Sequence, residues 1–199
     1  CVRRCPECQK FNIAKRGFHP LRSIYAEAPW DHIAIDTAGP MTMSIQGNQY
    51  ILVIVDVFTR YCVLRALPDK SSLTVVQALK NVFSLFGRPK IIQSDNGTEY
   101  VNQLLQLYVE SSGIEHRLIS AYHPRANGLA ERWVGKTKNI LYKRLQGNME
   151  DWDLYLDSTQ EALNNTPAAI HGSAPFALMF NKKPNQNIDY SEVVDKTTL

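Results

Sequence analysis

"QYILVIVDVFTRYCVLRAL", residues 49–67, decides the fold class. It is rich in Ile, Val, Tyr and Phe, the residues that suit a pleated surface, and is too long for one strand. The "DVFTRY" interruption splits it into a hairpin whose first strand is almost wholly apolar, hence buried on both faces. On its N-terminal side, "WDHIAIDTAGP" (30–40) reads as another strand, ended by Gly39-Pro40. On the other side, "SSLTVVQALKNVFSLFG" sets Val75, Leu79, Val82, Phe83 and Phe86 at helical spacing, capped by Ser71 or Ser72 and stopped by Gly87 and Pro89.

Farther out, "KIIQSD" (90–95) predicts a short strand. Val101, Leu104, Leu105, Tyr108 and Val109 mark a second helix closing near Gly113, and "EHRLISA" (115–121) a fifth strand. The loop "YHPRANG" leads into a long helix from about Gly128 to Gln146, with Leu129, Trp133, Thr137, Ile140, Leu141 and Leu145 on its inner side. A further helix covers about 151–165. "TPAAIHGSAPF" is Pro/Gly-punctuated, and the chain after Pro184 is polar with little periodicity. Strands first, then strands alternating with helices, then helices: this order predicts an α/β layer fold, a mixed five-stranded sheet flanked by helices.

The 199 residues suffice for one ordinary domain plus a short appendage, and 44% apolar with 21% charged residues is a globular composition. Net charge is only +3, which excludes a uniformly basic protein, but the charge is uneven. Residues 1–29 hold Arg3, Arg4, Lys10, Lys15, Arg16 and Arg22 against Glu7 and Glu27. Residues 125–147 hold Arg125, Arg132, Lys136, Lys138, Lys143 and Arg144 against Glu131 alone. Two basic blocks in a near-neutral chain suit a polyanion touching part of the surface; a solvated helix face would give the same pattern. The longest apolar run is interrupted by Asp56, so no membrane span or membrane partner is expected. Residue 1 is Cys and no signal peptide precedes it, so the chain reads as cut from something longer.

Three acids stand at the joints of this plan. Asp36 closes the first strand, Asp95 closes the fourth, and Glu131 lies early on the outer stripe of the long helix with Gly135, Lys138 and Tyr142. Asp95 precedes Asn96-Gly97, so by itself it suits a turn as well as a chemical role. If the first and fourth strands are neighbours, both aspartates project from adjacent strand ends and the helix can add the third acid. Clustered carboxylates repel one another and raise each other's pKa unless a cation intervenes. Oxygen ligands are those Mg²⁺ and Mn²⁺ prefer, and two such ions about 3.5–4 Å apart can clamp both oxygens of a phosphodiester displacement.

Between Asp95 and Glu131 lie 35 residues. "HIAIDTAGP", "SDNGTEY" and, at that interval, "YHPRANGLAERW" together resemble the D,D-35-E signature of retroviral and retrotransposon integrases. "SAYHPRANGLAERWVGKTKNIL" and "NNTPAAIHGSAPFALMF" resemble segments of gypsy-type LTR-retrotransposon integrases, part of a pol polyprotein, and the likeness runs from about Cys5 to Pro184. It implies an RNase H-like three-layer fold over residues 30–184, with 1–29 the end of a His₂Cys₂ zinc-binding module plus linker and 185–199 a linker toward a further region. It implies a two-metal polynucleotidyl transferase and endonuclease, acting in the nucleus. Such an enzyme processes element DNA 3′ ends and joins them to target DNA, assembled as a homo-oligomer on that DNA.

By that resemblance Asp36 bridges two Mg²⁺ or Mn²⁺ ions, Asp95 holds one and Glu131 the other. Tyr122, His123, Arg125, Asn127, Arg132 and Lys138 fall where relatives meet DNA; loop and capping chemistry is the alternative for the first residues, solvation for Lys138. Relatives often carry a lysine one turn from the Glu, where this chain has Gly135, and Arg125-Ala126 replace the usual Gln-Ser. Cys5-x-x-Cys8 is half of a tetrahedral zinc site, so Zn²⁺ is expected only in the intact N-terminal module; Cys1 and His19 offer a makeshift completion. Cys62, in an apolar run, reads as inert core. Asp56 reads as a turn acid or a partner of Arg60, Glu99 as a surface or capping acid, and His116 and His171 as structural. Two other functions compete: an integrase-derived DNA-binding or assembly domain that no longer cuts, and another RNase H-like nuclease.

Overall fold

The computed structural model describes residues 26–119, 124–145 and 147–184, the side chains of 124–127 excepted. In chain order they form β1 (His32–Ala38), β2 (Tyr50–Asp56), β3 (Cys62–Leu67), α1 (Ser72–Phe86), β4 (Ile91–Ser94), α2 (Gln103–Ser111), β5 (Glu115–Leu118), α3 (Pro124–Leu145), a 3-10 segment (Met149–Tyr155), α4 (Leu156–Asn165) and α5 (Pro175–Phe180).

The hairpin expected in residues 49–67 is β2–β3. The sheet order is β3-β2-β1-β4-β5, with β1, β2 and β3 antiparallel and β4 and β5 parallel to β1. Because β2 is central and covered on both faces, its residues alternate between two cores. Leu52 and Ile54 join Ile33, Ile35, Val63 and Ile92 under α1 and α2. Ile51, Val53 and Val55 join Cys62 and Leu64 under α3, the 3-10 segment and α4. These are three layers, each fully buried Ile or Leu contributing roughly 1.5–3 kcal/mol.

Local chemistry sets the element ends. Ser71 caps α1 by accepting from the Thr74 N–H (3.4 Å), and Gly87 stops it at φ 84°. Asn102 caps α2 by accepting from Leu105 N–H (2.9 Å). That helix starts later than its apolar pattern implied: Leu105 and Val109 are buried, Val101 and Leu104 are exposed, and Tyr100 takes the inner place before the cap. The long helix α3 begins at Pro124 rather than near Gly128. A proline fits the first helical position because its fixed φ is already helical and its missing N–H would bond nothing there. The Pro/Gly-punctuated stretch also yields one element that its composition hid, α5, which opens on Pro175 and packs Phe176 and Met179 on the first core.

Side chains of α4 close the outer edge of β3. Asn164 accepts from the Cys62 N–H and donates to the Cys62 carbonyl, both at 2.8 Å, and Gln160 accepts from the Leu64 N–H at 2.8 Å. The β1–β2 connection is fastened to the 3-10 segment. Trp152 Nε1 donates to the Thr42 carbonyl (2.7 Å), and Asp153 accepts from Ser44 (2.5 Å) and Asn48 (2.8 Å). No helix among the described residues is long and apolar enough to cross a membrane.

Candidate active site

Strand pairing brings the two aspartates together. In the parallel β1–β4 ladder, Ile33 faces Ile92 and Ala34 faces Gln93. The ladder ends there, and Asp36 and Asp95 each lie two residues beyond its last pair, on adjacent strands running the same way. Asp36 lies inside β1 rather than at its end, with Val53 as its β2 partner, and Asp95 follows the last residue of β4. Alternation turns Asp36 to the same face as Ala34, which packs against Ala130 of α3. Glu131 is the next residue of that helix, two turns from its start and exposed.

The electrostatics of Asp36 record this grouping. Its pKa is raised from 3.8 to about 6, chiefly by burial, against which the Thr37 N–H donating to Oδ1 (2.8 Å) acts to lower it. The charges of Asp95, Glu131 and Glu99 raise it further. Asp95 receives one N–H as well, from Gly97 (2.9 Å). Among the described residues, each aspartate thus keeps a carboxylate oxygen that no backbone donor takes, and neither ion pair, Lys90–Asp31 or Arg117–Glu115, brings a cation to the group.

That donor set suits a divalent cation of the Mg²⁺ type: carboxylate oxygens, like charges, partial burial. Among the described residues, however, no three acidic, His or Cys side chains already converge to hold one ion. Both findings hold together, because charge acts over distances well beyond the roughly 2 Å of a metal–oxygen bond. Asp36 and Asp95 come from adjacent strands and Glu131 from α3, and the charges of the last two both reach the first.

Behind the pair lies a second row of groups that sequence reasoning left out. Tyr100, 2% exposed, shares a short hydrogen bond (2.5 Å) with the Thr37 hydroxyl, directly after Asp36. Burial, with the charges of Asp36, Glu99 and Asp95, pushes its phenol well above the usual range, so it remains protonated. His116 Nε2 pairs with Ser94 Oγ at 2.9 Å, and Ser94 Oγ also reaches the Asp95 carbonyl at 3.0 Å. The structural role expected of His116 is this contact; burial lowers its pKa. Glu99 corrects an expectation. Its carboxylate is not merely a surface group, since its charge reaches Asp36 and its Oε2 would lie 2.8 Å from a Cβ at Gly97, with Asp95 Oδ1 at 3.0 Å. A side chain at Gly97 would have to push one of those two carboxylates aside.

Asp56 is the turn acid anticipated. It is fully buried and accepts from Trp30 N–H (3.1 Å), Thr59 N–H (2.8 Å) and Thr59 Oγ1 (2.5 Å). Cys62 is buried core, its thiol pushed up to about 12 by burial. Of the residues expected near DNA, Arg132 is exposed and its Nε donates to the Gly128 carbonyl at 2.7 Å. Lys138 is half-buried, two turns along α3 from Glu131. Arg125 and Asn127 belong to the first turns of α3; Tyr122, His123, Cys5 and Cys8 lie outside the described residues. Two concavities, of about 330 and 270 Å³, have none of the three acids in their walls; the carboxylates form a shelf on the α3 side of β1 and β4.

Comparison with known proteins gives this shelf its setting. Residues 26–124 match the family model described as the integrase core domain. An uncharacterised protein of Caenorhabditis elegans is 35% identical over 92% of this chain and 14% of its own length. The retrovirus-related Pol polyprotein from transposon 412 of Drosophila melanogaster is 28% identical over 80% of this chain and 13% of its own. The chain therefore spans about a seventh of the curated relatives it matches. Among solved structures, the HTLV-2 integrase catalytic core domain in complex with magnesium superposes with a TM-score of 0.65, covering 78% of this chain and 99% of that one at 22% identity. The fold is thus the RNase H-like fold of integrase cores. With the carboxylates and these matches in hand, the chain belongs to the integrase core family, whose relatives matched here include a retrovirus-related Pol polyprotein of a transposon.

Proposed function

We propose that this chain is a working integrase core: it hydrolyses a phosphodiester near the end of an element's DNA, then joins the freed 3′-hydroxyl to target DNA. The observation that carries the reading is Asp36 and Asp95 just beyond the paired ends of adjacent parallel strands, with the charges of Asp95 and Glu131 both felt at Asp36. Asp36 would serve both ions, Asp95 one of them and Glu131 the other. A pair of Mg²⁺ or Mn²⁺ ions bound there would activate the attacking oxygen and offset charge on the leaving one. Tyr100, through Thr37, and His116, through Ser94, keep the two aspartates aimed; neither touches substrate.

The DNA partners are element ends and target, met by Tyr122, His123, Arg125, Asn127, Arg132 and Lys138, with the chain acting as a homo-oligomer in the nucleus. Zinc belongs to the intact N-terminal module through Cys5 and Cys8. The magnesium in the solved HTLV-2 core supports the choice of metal. One observation favours the second reading, a silent DNA-binding relative: the third acid does not already converge on the other two.

A strand-transfer assay with labelled element ends decides between them, run with Mg²⁺ or Mn²⁺ on a chain extended in both directions. Metal-dependent joining that is lost in Asp36→Asn, Asp95→Asn and Glu131→Gln supports the enzyme. DNA binding without joining under either metal would establish the silent reading.

A further inference from the structure

Three cations gather on the flank of α3, away from the face that carries Glu131. Arg60 lies in the β2–β3 turn, half-buried, at φ 68°, a left-handed conformation uncommon for any residue but glycine. Val57 of that turn packs with Ala130 and so seats the turn beside the helix. Arg132 and Lys136, one helical turn apart, flank Trp133, which packs in one core with Cys62, two residues after Arg60. Both are exposed yet held: Arg132 by its bond to the Gly128 carbonyl (2.7 Å), Lys136 by placing its ammonium 3.7 Å above the Trp133 ring. None of the three makes an ion pair among the described residues. Asp56, whose charge reaches Arg60, already spends both oxygens on Trp30 and Thr59.

Positive charges crowded without a counter-ion repel one another. Burial first, then the charge of Arg132, lowers the pKa of Arg60 and of Lys136. A fold that holds one of them in an unfavourable backbone region keeps that repulsion in place, and an anion is what relieves it. The cluster also lies close to the carboxylates. Ala34, which meets Ala130, is two residues before Asp36 on the same sheet face, about 7 Å at the rise of a strand. One DNA strand carries a phosphate every 3.4 Å or so of axis, so a backbone with one phosphate at Asp36 brings others past the turn.

We propose that Arg60, Arg132 and Lys136 form a phosphate clamp that grips the DNA backbone beside the carboxylate shelf and reads no bases. The clamp rests on DNA being the partner of that shelf. It adds Arg60 and Lys136, which the integrase resemblance did not point to, and makes Arg132 part of a three-point contact.

The test is fluorescence anisotropy of a labelled DNA duplex with the full chain in EDTA, between about 50 and 200 mM salt. Arg60→Asn, Arg132→Gln and Lys136→Gln are compared with Lys80→Gln, which removes the same charge from α1 on the opposite layer. Asn suits a left-handed position, so Arg60→Asn removes charge without adding backbone strain. Each clamp variant is expected to weaken binding several-fold, with unchanged melting, and to flatten the slope of log affinity against log salt by about one. Lys80→Gln should leave both unchanged. Clamp variants that behave like Lys80→Gln, or a wild-type chain that binds no DNA, overturn the proposal. Asp36→Asn separates it from the catalytic reading. If that variant still joins DNA while the clamp variants lose affinity, the clamp stands and the catalytic assignment falls.

Discussion

Two aspartates on neighbouring strands of one sheet, Asp36 and Asp56, live in opposite surroundings. Each follows an apolar run, and burial raises the pKa of each. Asp56 is saturated by donors: the Trp30 N–H ahead of β1 and, from its own turn, the Thr59 N–H and hydroxyl. Asp36 takes one N–H and otherwise faces Asp95, Glu131 and Glu99. The first arrangement is complete as it stands, while the second is stable only at a cost that a cation offsets. Burial alone does not mark a chemical carboxylate. Its remaining neighbours do.

That contrast can be broken in order of size. The largest effect is expected from Asp36→Asn, which should reduce strand transfer by more than about a thousandfold. It should also raise the melting temperature of metal-free protein at pH 7 and abolish any further rise on adding Mg²⁺. Asp56→Asn, by contrast, should leave joining within a few-fold of wild type. Equal loss of joining by the two would erase the distinction.

Next comes Asp56→Ala, which strands three donors in the core. Denaturant unfolding should register a loss of about 2–4 kcal/mol, since buried unsatisfied polar groups cost roughly 1–3 kcal/mol each. Gly97→Ala should act on chemistry more than on folding. Its methyl group must displace the Glu99 or Asp95 carboxylate, and a shift near 1 Å can cost on the order of a hundredfold in rate. Single-turnover joining and a melting curve separate the two effects.

The smallest signal is a pH dependence. Between about 6 and 3.8 the folded chain holds a proton at Asp36 that the unfolded chain has released, so this group favours folding as the pH falls. Its penalty is complete above pH 6. In EDTA the melting advantage of Asp36→Asn over wild type should therefore be greatest at pH 7, about 1 kcal/mol after allowance for partial exposure, and shrink toward pH 4. An advantage independent of pH would mean that Asp36 is not the group responsible.

The sequence made much of this fold legible because hydrophobic period survives in it: the β2–β3 hairpin, α1 and the inner side of α3 are all written at spacings of two or three to four residues. Which strands are neighbours is not written that way. The placing of Asp36 and Asp95 on adjacent strands comes from β4 returning parallel beside β1, a tertiary choice that a resemblance can imply but periodicity cannot. The start of α3 was misplaced because Asn127 and Gly128 are poor helix formers, and a proline start outweighed them. Tyr100 was passed over and Glu99 read as a surface or capping acid for a plainer reason. One looks like an ordinary core aromatic and the other like an ordinary surface acid until their neighbours are known. A second glance at Gly97, small where Asp95 and Glu99 crowd, was the signal available.

The way α4 attends to β3 has a consequence for assembly. The Asn164 amide copies the donor–acceptor pair of a missing strand at Cys62, and Gln160 occupies the next free amide, at Leu64. A sheet whose margin is sealed by side chains cannot grow by adding a neighbour's strand there. At the opposite margin, β5 presents the charged pair Glu115 and Arg117. A second copy of this chain therefore finds no strand to pair with at β3, which leaves the sheet a self-contained platform for its own carboxylates.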